Sequence, residues 1–99
     1  MLIIQYTKDA DCISVPPYPT AVIVYSATWC QPCKQLHQML LNYKSNIPVL
    51  KIDVEKCPKT SEGIRSLPTV VFKKNKKVIG TVQGFDETKV RKFLSLLDK

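Results

Sequence analysis

The 99-residue chain carries 15 Lys and Arg against 8 Asp and Glu, a formal net charge of +7, with 44% hydrophobic and 23% charged residues. That length and balance suit one domain over residues 1–99 with a single core, and exclude a disordered chain or a collagen-like fibre. Four cysteines are too few for a disulfide scaffold, which a chain of this length does not need.

The first residues, Met1 to Tyr6, have no basic lead-in and no apolar stretch of signal-peptide length. The longest nearby apolar run, Ala21 to Tyr25, falls well short of the ~20 residues that span a bilayer. A soluble, cytoplasmic protein with no membrane partner is therefore expected. In that setting thiols stay reduced, and a Cys-x-x-Cys pair is more often catalytic or metal-binding than structural. The charge is uneven: residues 1–50 hold three Lys/Arg and two Asp/Glu, residues 51–99 hold twelve and six. A basic half can meet acidic proteins or nucleic acid. A solvated lysine-rich surface accounts for it more simply, so nucleic acid is not an expected partner.

In chain order, Leu2–Tyr6 is a short apolar run suited to a strand. The proline-rich Val15-Pro16-Pro17-Tyr18-Pro19 follows as an irregular connection, because fixed φ angles and missing N–H groups oppose regular structure. Ala21-Val22-Ile23-Val24-Tyr25 is continuously apolar and β-branched, as in a strand buried on both faces. The period then changes to helical: Cys33, Leu36, Leu40 and Tyr43 share one face, and Lys34, Gln35, Gln38 and Asn42 supply the polar one. This helix is predicted to open near Thr28 to Cys30, with Pro32 tolerated in its first turn.

Val49–Val54 is predicted as a further strand, then a short helical piece reaching Gly63. Thr69–Phe72 and Val78–Val82 flank the polar turn Lys74-Asn75-Lys76 as an antiparallel hairpin. Asp86 is a good N-cap for a last helix with Val90, Phe93, Leu94 and Leu97 on one face. The order β-α-β-α-β-β-α around a buried strand implies an α/β fold, a mixed central sheet with helices on both faces.

Cys30 and Cys33 follow the buried strand and open the helix. Three-residue spacing on a helical turn brings their sulfurs within bonding reach. The unpaired N–H groups and positive dipole end of the helix favour a thiolate at the first position. Cys30 is thus the candidate nucleophile on a substrate disulfide. Cys33, one turn further in, is the candidate to resolve the mixed disulfide.

The segment Ala27-Thr28-Trp29-Cys30-Gln31-Pro32-Cys33-Lys34 resembles the active-site segment of thioredoxins, and the similarity runs over roughly residues 21–97. Ile64-Arg65-Ser66-Leu67-Pro68-Thr69 resembles that family's cis-proline segment, Lys51 falls on its charged strand residue, and Gly84 on the glycine lining its substrate groove. The resemblance implies a thioredoxin-like fold and a protein-disulfide reductase that cycles between dithiol and disulfide. It implies that Pro68 is cis and faces the dithiol. The carbonyl before Pro68 and the Thr69 backbone would pair with an extended substrate, and Trp29, Gln31, Pro32, Leu67 and Gly84 would complete the docking surface. Disulfide-containing proteins are the implied substrates and a thioredoxin reductase or similar donor the implied electron source. The protein is expected to act as a monomer with no cofactor and no metal.

The departures from the family pattern are specific. Gln31 replaces the usual glycine between the cysteines, Ser26 a usual aromatic, and Gln38 a helix-kinking proline, so a straighter helix is expected. Val24 stands where the family has a buried acid behind the dithiol, thought to take the proton of the second cysteine. Water, or Lys51 in its neutral form, is left to serve as the proton-transfer aid.

Three other readings compete. Cys30, Cys33 and His37, with Cys57 or Cys12, are a possible zinc set, although His37 lies a full turn beyond Cys33 and no second Cys-x-x-Cys exists. Gln83-Gly84-Phe85-Asp86 is faintly like the glutathione-binding end of glutaredoxins. A non-catalytic binding subunit on the same fold, using the basic stripe Lys73, Lys74, Lys76 and Lys77, is the third. Cys12 and Cys57 are expected to be thiols outside the reactive pair.

Overall fold

The computed structural model describes residues 1–10 and 18–98. The proline-rich segment up to Pro17 and Cys12 therefore lie outside the described residues. Five strands form one sheet: β1 (Ile3–Tyr6), β2 (Ala21–Ser26), β3 (Val49–Asp53), β4 (Thr69–Lys74) and β5 (Lys77–Gln83), in the order β1-β3-β2-β4-β5. Helix α1 (Gln31–Asn42) lies between β2 and β3 in the chain, and α2 (Glu87–Leu97) follows β5. β3 runs parallel to both β1 and β2, whereas β4 is antiparallel to β2 and β5. The sheet is mixed, as its element order requires.

Alternation along the strands sends Val22 and Val24 to one face, level with Val49 and Lys51 of β3 and with Phe72 and Val70 of β4. These apolar side chains form one buried cluster with Leu36, Met39 and Leu40 of α1 and Val90, Leu94 and Leu97 of α2. Both described helices thus pack on this face, while Leu50 and Ile52 are buried on the opposite one. Fully burying a side chain the size of Phe72 or Leu36 contributes about 1.5–3 kcal/mol, so this cluster holds the helices to the sheet.

The hairpin β4–β5 turns through Asn75 and Lys76, both with positive φ (52° and 71°). Two such residues in succession match the twist of an antiparallel pair. The short helix predicted after Cys57-Pro58 and up to Gly63 is not formed, and Val54, predicted to end the strand, already lies in the same run of residues 54–63. These residues form successive turns, with Cys57 N–H donating to Asp53 O at 2.8 Å and Ser61 N–H to Cys57 O at 3.0 Å. Pro58 removes a donor, and Gly63 at φ +84° leaves helical space, so the segment has no length over which to propagate a helix. Among the described residues, no helix is long and apolar enough to cross a membrane.

Candidate active site

The loop from β2 into α1 delivers the dithiol. Buried Ser26 and Ala27 end the strand run, and the Cys30 N–H donates back to Ala27 O at 3.2 Å. Cys30 is the N-cap of α1, in extended backbone (φ −86°, ψ 111°). Its Sγ accepts a hydrogen bond from the Cys33 N–H at 3.2 Å, the position at which a serine or aspartate side chain ordinarily caps a helix. No acidic residue occupies the first turn, so no carboxylate of that turn offsets the positive end of the dipole. Pro32 falls in this first turn, where its missing N–H costs nothing. Cys30 and Cys33 are joined in a disulfide with their Cα atoms 5.2 Å apart.

Two cavities lie on opposite sides of this pair. In front is a groove of about 450 Å³ whose lining includes Trp29, Cys30, Gln31, Pro32 and Leu67, five of the predicted residues. Val54, Ile64 and Arg65 complete it. Trp29 is 65% exposed, which rules out a core role, and its Nε1–H donates to Glu55 Oε1 at 2.7 Å. Glu55 carries no sequence motif; only its place in the turn after β3 brings it to Trp29.

Pro68 follows Leu67 of the groove wall, but Pro68, Thr69 and Gly84 do not line the groove. The Leu67–Pro68 peptide bond is cis, and Pro68 is fully buried. Pro68 O accepts from the Gly84 N–H at 2.7 Å, with Gly84 at φ +79°, a conformation few residues other than glycine adopt at low cost. Thr69 is buried, its Oγ1 donating to Ser66 O at 2.5 Å.

Behind the dithiol is a small cavity of about 10 Å³ lined by Cys33, Val24, His37, Lys51 and neighbouring apolar side chains. Val24 and Lys51 are partners across β2 and β3. Lys51 Nζ lies 3.2 Å from His37 Nδ1. Burial first, and the Lys51 charge second, lower the imidazole below its ordinary range. Burial likewise lowers the Lys51 ammonium, partly opposed by Asp53. His37 is four residues after Cys33, hence on the same helix face. That spacing was its only sequence signal, one that a packing histidine shares.

Cys30, Cys33 and His37 of the zinc reading lie at the dithiol, and the other rival residues lie elsewhere. Among the described residues no group of three His, Cys, Asp or Glu is placed to hold a metal ion. Cys57 is buried, with its Sγ 3.6 Å from Tyr6 O. Asp86, in the segment faintly like a glutathione site, is the N-cap of α2, its Oδ1 accepting from the Lys89 N–H at 3.1 Å. In the basic stripe, Lys74 Nζ donates to Leu96 O at 2.8 Å.

A redox-active pair on a helix N-terminus, one sulfur facing an open groove, is the arrangement of a disulfide exchanger. The thioredoxin family model matches residues 11–96. The chain belongs to the thioredoxin family. It is 36% identical to thioredoxin-1 of Drosophila melanogaster over 84 residues, 79% of this chain and 78% of that protein. It is 32% identical to a thioredoxin of Staphylococcus aureus over 91 residues, 86% of each chain. Its fold superposes on the reduced thioredoxin pre-protein of Schistosoma mansoni with a TM-score of 0.84 and 28% identity, covering 98% of this chain and 99% of that one. With the Cys30–Cys33 pair in place, this family member is a thiol–disulfide oxidoreductase. Its family implies disulfide-bearing protein substrates and a reductase partner.

Proposed function

We propose that this member of the thioredoxin family reduces protein disulfides in the cytoplasm as a monomer, with Cys30 as nucleophile and Cys33 as resolving thiol. The observation that carries the assignment is the division of the pair between two cavities: Cys30 lines the wide groove and Cys33 the small cavity behind. A substrate disulfide in the groove meets Cys30 first. Its thiolate attacks one substrate sulfur, forming a mixed disulfide and releasing the other sulfur as a thiolate. Cys33 then attacks Cys30 Sγ, closes the internal disulfide and frees the substrate.

Trp29, Gln31, Pro32 and Leu67 form the docking wall, and an extended substrate segment pairs with the backbone around Pro68 and Thr69, with Gly84 beside it. A thioredoxin reductase or an equivalent dithiol donor returns two electrons to the pair. The reaction uses no cofactor or metal beyond the dithiol.

Insulin reduction by a small dithiol tests this reading. The protein is expected to accelerate precipitation of the insulin B chain well above the dithiol alone, and Cys30→Ser to abolish the acceleration. Cys33→Ser is expected to accumulate a mixed disulfide through Cys30. A wild-type protein no faster than the dithiol alone overturns the reading.

A further inference from the structure

We propose that His37 is a positioning residue that holds the Lys51 ammonium beside Cys33, and that this cation stabilises the resolving thiolate in place of a buried acid. The inference deepens the reductase reading and rests on it for its place in the reaction.

The space behind the dithiol is walled by Val24 from β2, Lys51 from β3, Ile3 from β1, and Cys33 and His37 from α1. Cys33, His37 and Lys51 are its titratable members, and Asp53, two residues along β3, acts on Lys51 from outside. Among the described residues no carboxylate lines it, so none of them opposes a Cys33 thiolate there or accepts its proton.

Lys51 and His37 meet at 3.2 Å between Nζ and Nδ1. Two cations at that separation repel, so the pair carries one charge near neutrality. The more basic amine keeps the proton, and the lowered imidazole stays neutral. Lys51 then donates to Nδ1, and the ring proton resides on Nε2. The hydrogen bond replaces part of the hydration that the ammonium loses on burial. Without His37, the flexible lysine stem is free to carry its charge outward to water.

A neighbouring cation lowers the pKa of a thiol, whereas the apolar walls raise it. The cavity of about 10 Å³ is close to the room one water needs, so a water there would be within reach of the Cys33 proton. During resolution the Cys33 thiol gives its proton to water and the thiolate attacks Cys30 Sγ. The Cys30–Cys33 bond forms and the bond from Cys30 to the substrate sulfur breaks. That sulfur leaves with the electron pair and takes a proton from solvent. The two electrons of the dithiol end on the substrate, and Lys51 and His37 finish in the protonation states in which they began.

The test reads Cys33 directly in a Cys30→Ser background, by mass-spectrometric alkylation of the Cys33 peptide against pH. No substrate is involved, so the outcome is separable from that of the insulin assay. Lys51→Met and His37→Ala are each expected to raise the Cys33 titration by about one unit. His37→Asn, whose carbonyl supplies an acceptor near the Nδ1 position, is expected to return it to the parent value. Lys51→Gln reads the loss of charge with less disturbance of packing should Lys51→Met not fold. A Cys33 titration unmoved by loss of the lysine charge overturns the proposal. So does one that shifts with Lys51 but ignores His37→Ala.

Discussion

The Cys33 backbone N–H donates to Cys30 Sγ across 3.2 Å, so the sulfur that caps α1 is held by one of the helix's own unpaired donors. The same donor and dipole act more strongly on a thiolate than on a disulfide sulfur. Once reduced, Cys30 is expected to titrate below the ~8.5 of a free cysteine and below Cys33. Alkylation rate against pH, compared between Cys30→Ser and Cys33→Ser, measures both. An unshifted Cys30, or faster labelling at Cys33, reverses the two roles.

Trp29 stands at the groove rim, exposed but oriented by its hydrogen bond to Glu55. An ordered aromatic on an open surface is a common anchor for a protein partner. Trp29→Ala is expected to lower kcat/KM for insulin about tenfold, a loss of ~1.4 kcal/mol, and to leave reaction with a small aromatic disulfide nearly unchanged. Glu55→Gln keeps an acceptor for Nε1 and is expected to have a smaller effect. Equal losses on both substrates with Trp29→Ala place the residue in support of the dithiol instead of in docking.

The strands and both helices were legible because their apolar periods are unambiguous: a β-branched run at Ala21–Tyr25, helical spacing from Cys33 to Leu40, and Asp86 before Val90. The dithiol was legible for the same reason, since a strand-to-helix turn gives Cys-x-x-Cys its chemistry. Glu55 and His37 were not. Neither belongs to a motif, and their partners, Trp29 and Lys51, are 26 and 14 residues away. Only the register of β2 against β3, which sets Val24 beside Lys51, brings the rear wall together. The piece after Cys57-Pro58 reads as helical up to Gly63 because its polar composition tolerates either turn or helix, but Pro58 and Gly63 make it a series of turns.

Asp9 ties the segment after β1 to the turns after β3. Its carboxylate accepts from the Thr60 N–H at 2.9 Å, from Thr60 Oγ1 at 2.8 Å, and from the Lys59 N–H at 3.4 Å. The Thr60 backbone bond is the largest cause holding this carboxyl below its ordinary 3.8, against the raising effect of desolvation. A carboxyl lowered in the folded state contributes stability above its unfolded pKa, and loses it as pH falls through the folded value. Asp9→Asn is therefore expected to be less stable than wild type at pH 7, with the difference shrinking below about pH 4. Urea unfolding at pH 7 and pH 3 checks this. A difference that is constant with pH means the tie does not depend on the charge.

Val24 is buried beside Lys51 and lines the wall behind Cys33. Val24→Asp puts a carboxylate where an apolar side chain now packs, and two consequences follow. Burial of the charge and loss of the branched side chain lower stability, while the Lys51 ammonium across the strands offsets part of the cost. The net loss is expected to be about 1–3 kcal/mol, a fall in Tm on the order of 10 °C for a chain of this size. With Lys51 opposite, the new group ionises and becomes a local proton acceptor for Cys33. Turnover of insulin with a small dithiol is expected to gain an ionisation below neutral pH that wild type lacks. The two changes have separate readouts, since thermal unfolding reports the buried charge and the pH profile reports its reach to the sulfur. A variant that is destabilised with an unchanged profile shows that the carboxylate does not communicate with Cys33. One that matches wild type in rate, profile and Tm shows that position 24 does not face the dithiol at all, contrary to the register of β2.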